Sequence, residues 1–500
     1  MEIFDNLALG FAAAVTLQNL GWCLVGCFLG TAIGVLPGLG PAATIAMLLP
    51  ATIGLPPLSA LIMLAGIFYG AQYGGSTTSI LVNLPGEMSS VVTAIDGHQM
   101  ARQGKAGRAL SVAALASFFA GTVCTFLIAL FAPPLATLAL KFGPPEYFSL
   151  MVLGLVASIV LANGSILHAL GMIIFGLLLG LVGSDVNSGT QRFTFELPEL
   201  VDGIGFVIVA MGMFGVGEII ANLGAHQDGE KNIIGVQSLW PTRDDFRRMI
   251  APTLRGTALG SALGILPGGG ATLASFSAYA LEKRVSRNRG EFGKGALEGV
   301  AAPESANNAG AQMSFIPMLT LGIPANPVMA LMLGAMIVQG IQPGPSVITE
   351  QASLFWGLIA SMWIGNAMLL VLNLPLIGLW VKLISMPYKF LYPAILTFCA
   401  IGVYSLSNTT FDVHLMVLFG GLGYAFKKLD CEPAPMLLGF ILGPMMEEHL
   451  RRALLISKGD PQVLITRPIS AALLALAAVL LVVVLLPGLN QVREKAFKEA

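Results

Sequence analysis

Glu304 follows Pro303 and precedes Asn307 and Asn308 inside an otherwise apolar stretch. On a helix, residues at i, i+3 and i+4 share a face, so these three side chains can point into one cavity. A carboxylate at bilayer depth costs about 3 kcal/mol or more. A group kept there at that cost is a candidate for ion or proton coupling, because its charge state and its ion occupancy are linked. A second polar run, Tyr73-Gly74-Gly75-Ser76-Thr77-Thr78-Ser79, interrupts another apolar segment. Its hydroxyls and the amides of Asn307 and Asn308 can complete the shell of a bound Na+ or of a carboxylate. We therefore expect Na+, if it is the coupling ion, near Ser76, Asn307 and Asn308. Glu87 and Asp96 are secondary carboxyl candidates that can equally sit at an interface.

These groups need elements to hold them, and the chain supplies a repeated one. The run from Leu29 to Gly40, ending Leu36-Pro37-Gly38-Leu39-Gly40, returns 230 residues later as Leu259 to Gly270, ending Leu266-Pro267-Gly268-Gly269-Gly270. Eight of the twelve positions are identical and three more are conservative, so chance is an unlikely source. Each half has a second break, at Asn83-Leu84-Pro85-Gly86 and at Ile323-Pro324-Ala325. Its spacing from the first break differs by nine residues, which the basic loop at 282–298 can absorb. Proline removes a backbone donor, and glycine lets the chain leave helical geometry cheaply. Paired interruptions of this kind point to the substrate site of a carrier. Half-helix N-termini suit a carboxylate, and freed carbonyls suit Na+.

Composition fits that reading. Of 500 residues, 55% are hydrophobic and only 11% charged, against roughly 25% charged in a soluble domain. Net charge is -1, which gives no footprint for nucleic acid. Apolar stretches recur from Gly10 to Pro487. The expected fold is an all-α polytopic membrane protein of about ten to twelve spans, built from two repeats with broken or re-entrant helices. Inverted repeats are the expectation, with parallel repeats the alternative. The expected division is a first half at 1–225, a polar connector at 226–252, a second half at 253–450, and a C-terminal loop, last span and tail at 451–500. Basic clusters at Arg102–Arg108 and Lys283–Lys294 belong in the cytoplasm by the positive-inside rule. No basic residue precedes Arg102, so the start of the chain is placed outside and is not a signal peptide. Cys23, Cys27, Cys124, Cys399 and Cys431 show no metal or disulfide spacing.

The motifs together resemble a known family. Gly34-Val35-Leu36-Pro37-Gly38-Leu39-Gly40-Pro41, Gly74-Gly75-Ser76, Asp96-Gly97 and Gly104-Lys105-Ala106-Gly107-Arg108 carry the first half. Gly264 to Ala271, Glu298 to Asn308, Leu321-Gly322-Ile323-Pro324 and Gly340 to Pro345 carry the second. The set is similar to the large membrane subunit of the bacterial tripartite tricarboxylate transporters, over roughly residues 20 to 450. That resemblance implies a small membrane subunit and a periplasmic substrate-binding protein as partners. It also implies a multi-pass protein of the bacterial inner membrane. Its substrates would be organic carboxylates: tricarboxylates such as citrate, dicarboxylates or aromatic carboxylates. An ion gradient would drive uptake by symport of Na+ or H+, with no other cofactor. No Walker A pattern is present, consistent with that. The chain departs from the family pattern at the polar run Gly310-Ala311-Gln312-Met313-Ser314 and at Glu87, where a small residue is expected.

The residues expected to bind substrate or ion are thus Pro37, Gly38, Gly40, Gly74, Gly75, Ser76, Thr77, Thr78, Asn83, Pro85, Pro267, Gly268, Gly270, Asn307, Asn308 and Pro324, with Glu304 as the coupling group. No residue is expected to be catalytic. Two rivals come from other classes. An intramembrane serine hydrolase would use Ser76 with a histidine, and a passive anion channel would need no coupling group.

Overall fold

In the computed structural model, the described residues are 2–36, 40–139, 141–161, 165–185, 188–225, 234–236, 238–266, 270–385 and 388–485. In chain order the helices are α1 (Glu2–Ala14), α2 (Leu17–Gly34), α3 (Pro41–Leu48), α4 (Pro57–Val82), α5 (Val91–Met100), α6 (Ala106–Ala139), α7 (Pro144–Leu161) and α8 (Ile166–Gly180). Then follow α9 (Phe206–Ala210), α10 (Gly217–Ala225), α11 (Arg243–Gly264), α12 (Gly270–Val285), α13 (Glu298–Met313), α14 (Phe315–Leu321), α15 (Pro327–Val338) and α16 (Ser346–Glu350). The last are α17 (Ala352–Asn373), α18 (Ile377–Ile384), α19 (Tyr388–Ser407), α20 (Thr410–Lys428), α21 (Pro433–Ile456), α22 (Val463–Thr466) and α23 (Pro468–Leu485). Among the described residues the only sheet is a hairpin of Gly183–Ser184 with Gln191–Arg192. The protein is all-α and polytopic, as expected.

Among the described residues four helical stretches are long and apolar enough to cross a bilayer: Leu17–Gly34, Pro57–Val82, Met88–Leu138, which is kinked at Gly104 with φ 77°, and Ala352–Asn373. Seven further apolar helices among the described residues have only 10–17 residues. Such helices rise about 15–26 Å against a hydrocarbon core of about 30 Å. Against the ten to twelve spans expected, the described residues thus show four helices of full length and seven shorter apolar ones. Large apolar side chains such as Phe28, Phe126, Leu130 and Phe131 are exposed, as a surface bathed in lipid requires.

The chain forms two compact units, residues 1–135 with 222–402 and residues 136–221 with 403–500. In the second unit α8 packs on α21, where Gly176 and Gly439 let the backbones touch. Buried Asp185 there gathers Arg192 and Arg451, which also reach Glu447. Both copies of the repeat lie in the first unit. Of the polar connector expected at 226–252, residues 226–233 and 237 lie outside the described residues. Its last part is already α11, opened by a capping box of Thr242 and Asp245.

Each repeat is a helix pair closed by glycine. On α2, Gly26, Gly30 and Gly34 face the carbonyls of Met63, Ile67 and Ala71 on α4; an added Cβ would stand 2.2, 2.3 and 2.5 Å from those oxygens. On α11, Gly256, Gly260 and Gly264 face the carbonyls of Ala302, Ala306 and Gly310 on α13, at 2.3, 2.4 and 2.6 Å. The first helices are related by the 230-residue shift and the second by 239, so the nine extra residues lie between them, as expected. Small residues every fourth position are what close backbone packing in lipid needs.

The repeats are inverted. Helix α4 has 26 residues and rises about 39 Å, enough to span. Beyond it Asn83 adopts φ 58°, and the chain doubles back until Gly86 lies against Gly34 and Gly75. Helix α5 then climbs again, bringing Gly97 and His98 against Ile80. Gln103 thus emerges beside the C-terminal end of α4. There its Nε2 donates to Lys294 O at 2.7 Å, in the loop joining α12 to α13. The equivalent loop of the first repeat joins α3 to α4 and lies at the N-terminal end of α4. At that end Gln339 Nε2 donates to Thr52 O at 2.8 Å. The contacts are reciprocal, as a two-fold relation demands, and the equivalent loops sit at opposite ends of a spanning helix.

Candidate functional site

The polar run of the first half does not break its helix. Residues 73–79 continue α4, and the buried hydroxyls of this run are satisfied by bonding back one turn or across to neighbouring segments. Thr77 Oγ1 donates to Tyr73 O at 3.2 Å. Thr78 Oγ1 donates to Val35 O at 2.9 Å, serving a carbonyl left free where α2 stops. The breaks lie elsewhere. Asn83 and Gly322 are left-handed C-caps of α4 and α14, with φ 58° and 70°, and Pro85 and Pro324 follow two residues later. Glu87 and Asn326 then start the next helical turns with matching backbones, φ -148°, ψ 164° and φ -156°, ψ 172°. Gly40 caps α3, and its carbonyl accepts from both N and Oγ1 of Thr44. Gly270 adopts φ 44° beside Asn326. The two breaks of each repeat are therefore neighbours. Pro37, Gly38, Pro267 and Gly268 lie outside the described residues.

The coupling candidate is at the centre of a buried polar cluster. Glu304 is 1% exposed on α13. Its Oε2 accepts from Ser76 Oγ of α4 at 2.6 Å and from Ser117 Oγ of α6 at 3.4 Å, and its Oε1 accepts from Thr93 Oγ1 of α5. Asn308 Nδ2 donates to Ser117 Oγ at 2.6 Å and so orients that donor. Asn307 turns to the other side, where its Nδ2 donates to Glu87 Oε1 at 3.2 Å. Among the described residues no Lys, Arg or His forms an ion pair with Glu304 or Glu87. The space beside Glu304 is lined by Tyr73, Ser76, Thr77, Ser117 and Asn373 and measures ≈ 10 Å³ for the centre of a water molecule. That is room for about one water or one bare cation, and none for a tricarboxylate.

The structure thus brings Ser76, Glu304 and Asn308 together, with Thr77 lining the same space, whereas Asn307, expected to point into the same cavity, faces Glu87 instead. Gly74 makes close contact with Thr31 O instead, and Asn83 is exposed at a turn. Thr93 and Ser117 were not anticipated. Neither stands in a motif, and only the crossing of α5 and α6 over Glu304 reveals them. Asp96 also has a clearer place than an interface. It is fully buried, and its Oδ1 accepts from the N–H groups of Gly293, Gly295 and Ala296 at 2.8–2.9 Å, while Tyr279 Oη donates to Oδ2 at 2.9 Å. It pins the basic loop onto α5, three residues from Thr93. The hydrolase reading gains no support at Ser76, whose partners are Glu304 and Gln72 O. His98 Nδ1 lies on Ile80 O.

Residues 20–438 match the family model of the tripartite tricarboxylate transporter TctA family. The chain belongs to that family. As a TctA-family chain it is 60% identical, over 499 residues, to an uncharacterized 52.8 kDa protein in the TAR-I ttuC' 3' region of Agrobacterium vitis, covering 100% of this chain and 99% of that one. A second protein of the same organism, in the TAR-II ttuC' 3' region, is 61% identical over 240 residues, 48% of this chain and 99% of that one. No solved structure matches the chain. Membership makes it a subunit of a transport system in a membrane, and the matched segment contains every member of the Glu304 cluster.

Proposed function

We propose that this chain is the transmembrane pathway of a secondary carrier that imports organic carboxylates by symport with Na+ or H+. Its substrates are tricarboxylates such as citrate, dicarboxylates or aromatic carboxylates. A periplasmic binding protein delivers them, a small membrane subunit assembles with the chain, and the bacterial inner membrane is the setting. One observation carries the coupling: Glu304 is a buried carboxyl surrounded by hydroxyls, with no basic partner among the described residues, beside a cavity sized for one small ion. Such a group is stable either protonated or holding a cation, and unstable bare. Loading it therefore gates the movement of α13 against α4, α5 and α6.

The substrate site on this reading lies at the first breaks of the two repeats. Helix α3 starts at Pro41, after its cap residue Gly40, with no side-chain cap, which leaves the N–H groups that follow Pro41 in its first turn for an anion, and α12 begins at Gly270, the equivalent of Gly40. The second breaks differ, since Asn326 Oδ1 already accepts from Met329 N at 3.0 Å. Alternating access then moves one part of the inverted pair about this site.

The direct test is uptake of radiolabelled citrate, tartrate and benzoate by cells carrying all three subunits. Accumulation above the outside concentration that collapses with ionophores is the expected result. Uptake that survives dissipation of both Na+ and H+ gradients while ATP is present would overturn the proposal, and equilibration without accumulation would indicate a channel.

A further inference from the structure

We propose that Glu87, Asn307, Gln72 and Ser89 form a second site for a monovalent cation, distinct from the one at Glu304; this rests on the reading of the chain as an ion-driven carrier. Glu87 Oε1 accepts from Ser89 Oγ at 2.6 Å and from Asn307 Nδ2 at 3.2 Å. Gln72 Oε1 lies 3.2 Å from the same Ser89 hydroxyl, which has one proton for two acceptors. Asn307 is 0% exposed, and its Oδ1 has no hydrogen-bond partner. Gly75 makes the room: a Cβ there would stand 2.8 Å from Glu87 Cγ. The cluster therefore holds a carboxyl group and the Gln72 amide oxygen against few donors, with the unpartnered Oδ1 on the same Asn307 amide that bonds Glu87, and no basic side chain neutralises it among the described residues. An excess of hard oxygen ligands is what a hard cation such as Na+ fills.

Helix capping does not explain the charge. Glu87 and Ser90 make a capping box, but Asn326 holds the equivalent position in the other repeat with the same backbone and caps its helix while neutral. The carboxylate at 87 is therefore surplus to the cap. Both proposed sites also use adjacent turns of the same two helices. Gln72 and Ser76 are four apart on α4, and Glu304 and Asn307 are three apart on α13. Two cations moving together offset the charge of a polyvalent anion.

The test uses the purified full-length chain with its small subunit in detergent. Thermal unfolding is followed while NaCl replaces choline chloride at constant ionic strength, with LiCl and KCl in parallel. The wild-type midpoint should rise with Na+. Glu87→Asn copies the cap of the other repeat, so it should match wild type in choline yet need at least 10-fold more Na+ for half of the rise. Asn307→Ala leaves the cap untouched and should show the same loss, so the reading survives if Glu87→Asn misfolds. Glu304→Gln should keep the part of the rise that depends on Glu87. A wild-type midpoint insensitive to all three cations, or an undiminished Na+ response in Glu87→Asn or Asn307→Ala, overturns the second site. Loss of carboxylate uptake in wild type with the Na+ response intact would instead sink the transport reading and leave the site standing.

Discussion

A hydroxyl can serve a carboxyl group in both of its protonation states, and Ser76 is placed to do so. Its Oγ is 2.6 Å from Glu304 Oε2 and 3.1 Å from Gln72 O. Facing an ionised Glu304, it donates to the carboxylate. Facing a protonated one, it accepts and donates back to Gln72 O. The site therefore keeps its hydrogen bonds whether or not a proton is present, and on the proposed reading a cation takes the proton's place. Glu304→Gln removes the exchangeable charge while keeping the shape. We expect it to lower gradient-driven uptake at least 10-fold while the chain still co-purifies with the small subunit; full uptake with unchanged ion dependence would end the coupling role. Ser76→Ala deletes one charge-assisted hydrogen bond, worth about 1.5–3 kcal/mol. It should raise the ion concentration for half-maximal uptake by about 10-fold or more with a smaller change in maximal rate, whereas a nucleophilic serine would lose all activity. Glu304 and Asn308 were legible in the sequence because helical spacing puts them on one face, but the same spacing misplaced Asn307, which turns to Glu87. Thr93 and Ser117 were not, because they reach Glu304 from helices whose crossing no single segment encodes.

At the scale of elements, the glycine rows decide which helices pair. Gly30 and Gly260 sit in the middle of the two rows, where a Cβ would meet a backbone oxygen at 2.3 and 2.4 Å. A backbone carbonyl in a packed helix cannot step aside, so the helices must separate. Gly30→Ala and Gly260→Ala should each cost about 1–3 kcal/mol by overpacking, and by similar amounts because the environments are repeats of one another. Gly21→Ala is the control on the same α2 helix, since nothing lies within 4 Å of its Cβ position. Unfolding midpoints in detergent check this: equal midpoints for Gly21→Ala and Gly30→Ala would show that the close approach is not real. These rows explain why the repeat was visible in the sequence, for close packing tolerates only glycine there. The helical continuity of residues 73–79 was less visible. Small polar residues suit a break or a helix equally, and their bonds to Tyr73 O and Val35 O settle the matter only in three dimensions. Short helices such as α3 and α5 were missed for a related reason, since 8 and 10 residues give too few turns for a period to show.

Across the whole molecule, inversion of the repeats fixes which loops share a side of the membrane. The sequence offered the repeat but not its handedness, because identical motifs read the same in either orientation. The decisive contacts are between chain segments nearly 200 residues or more apart: Gln103 with Lys294, and Gln339 with Thr52. The first joins the two basic loops that the positive-inside rule assigns to the cytoplasm. The second gathers the short turn before α4 and the end of α15 on the far side. Single cysteines test the assignment directly in a Cys431→Ser background, since the other four native thiols are buried. Lys105→Cys and Gly290→Cys are exposed positions at the first face, and Ala51→Cys is exposed at the second. With an impermeant maleimide added to intact cells, Ala51→Cys should label while Lys105→Cys and Gly290→Cys should not, and inside-out vesicles should reverse the pattern. Labelling of Lys105→Cys and Gly290→Cys from opposite sides would contradict the Gln103–Lys294 contact. Labelling of all three from one side would make the repeats parallel, and a two-fold axis in the membrane plane could then no longer relate the two breaks at the proposed substrate site.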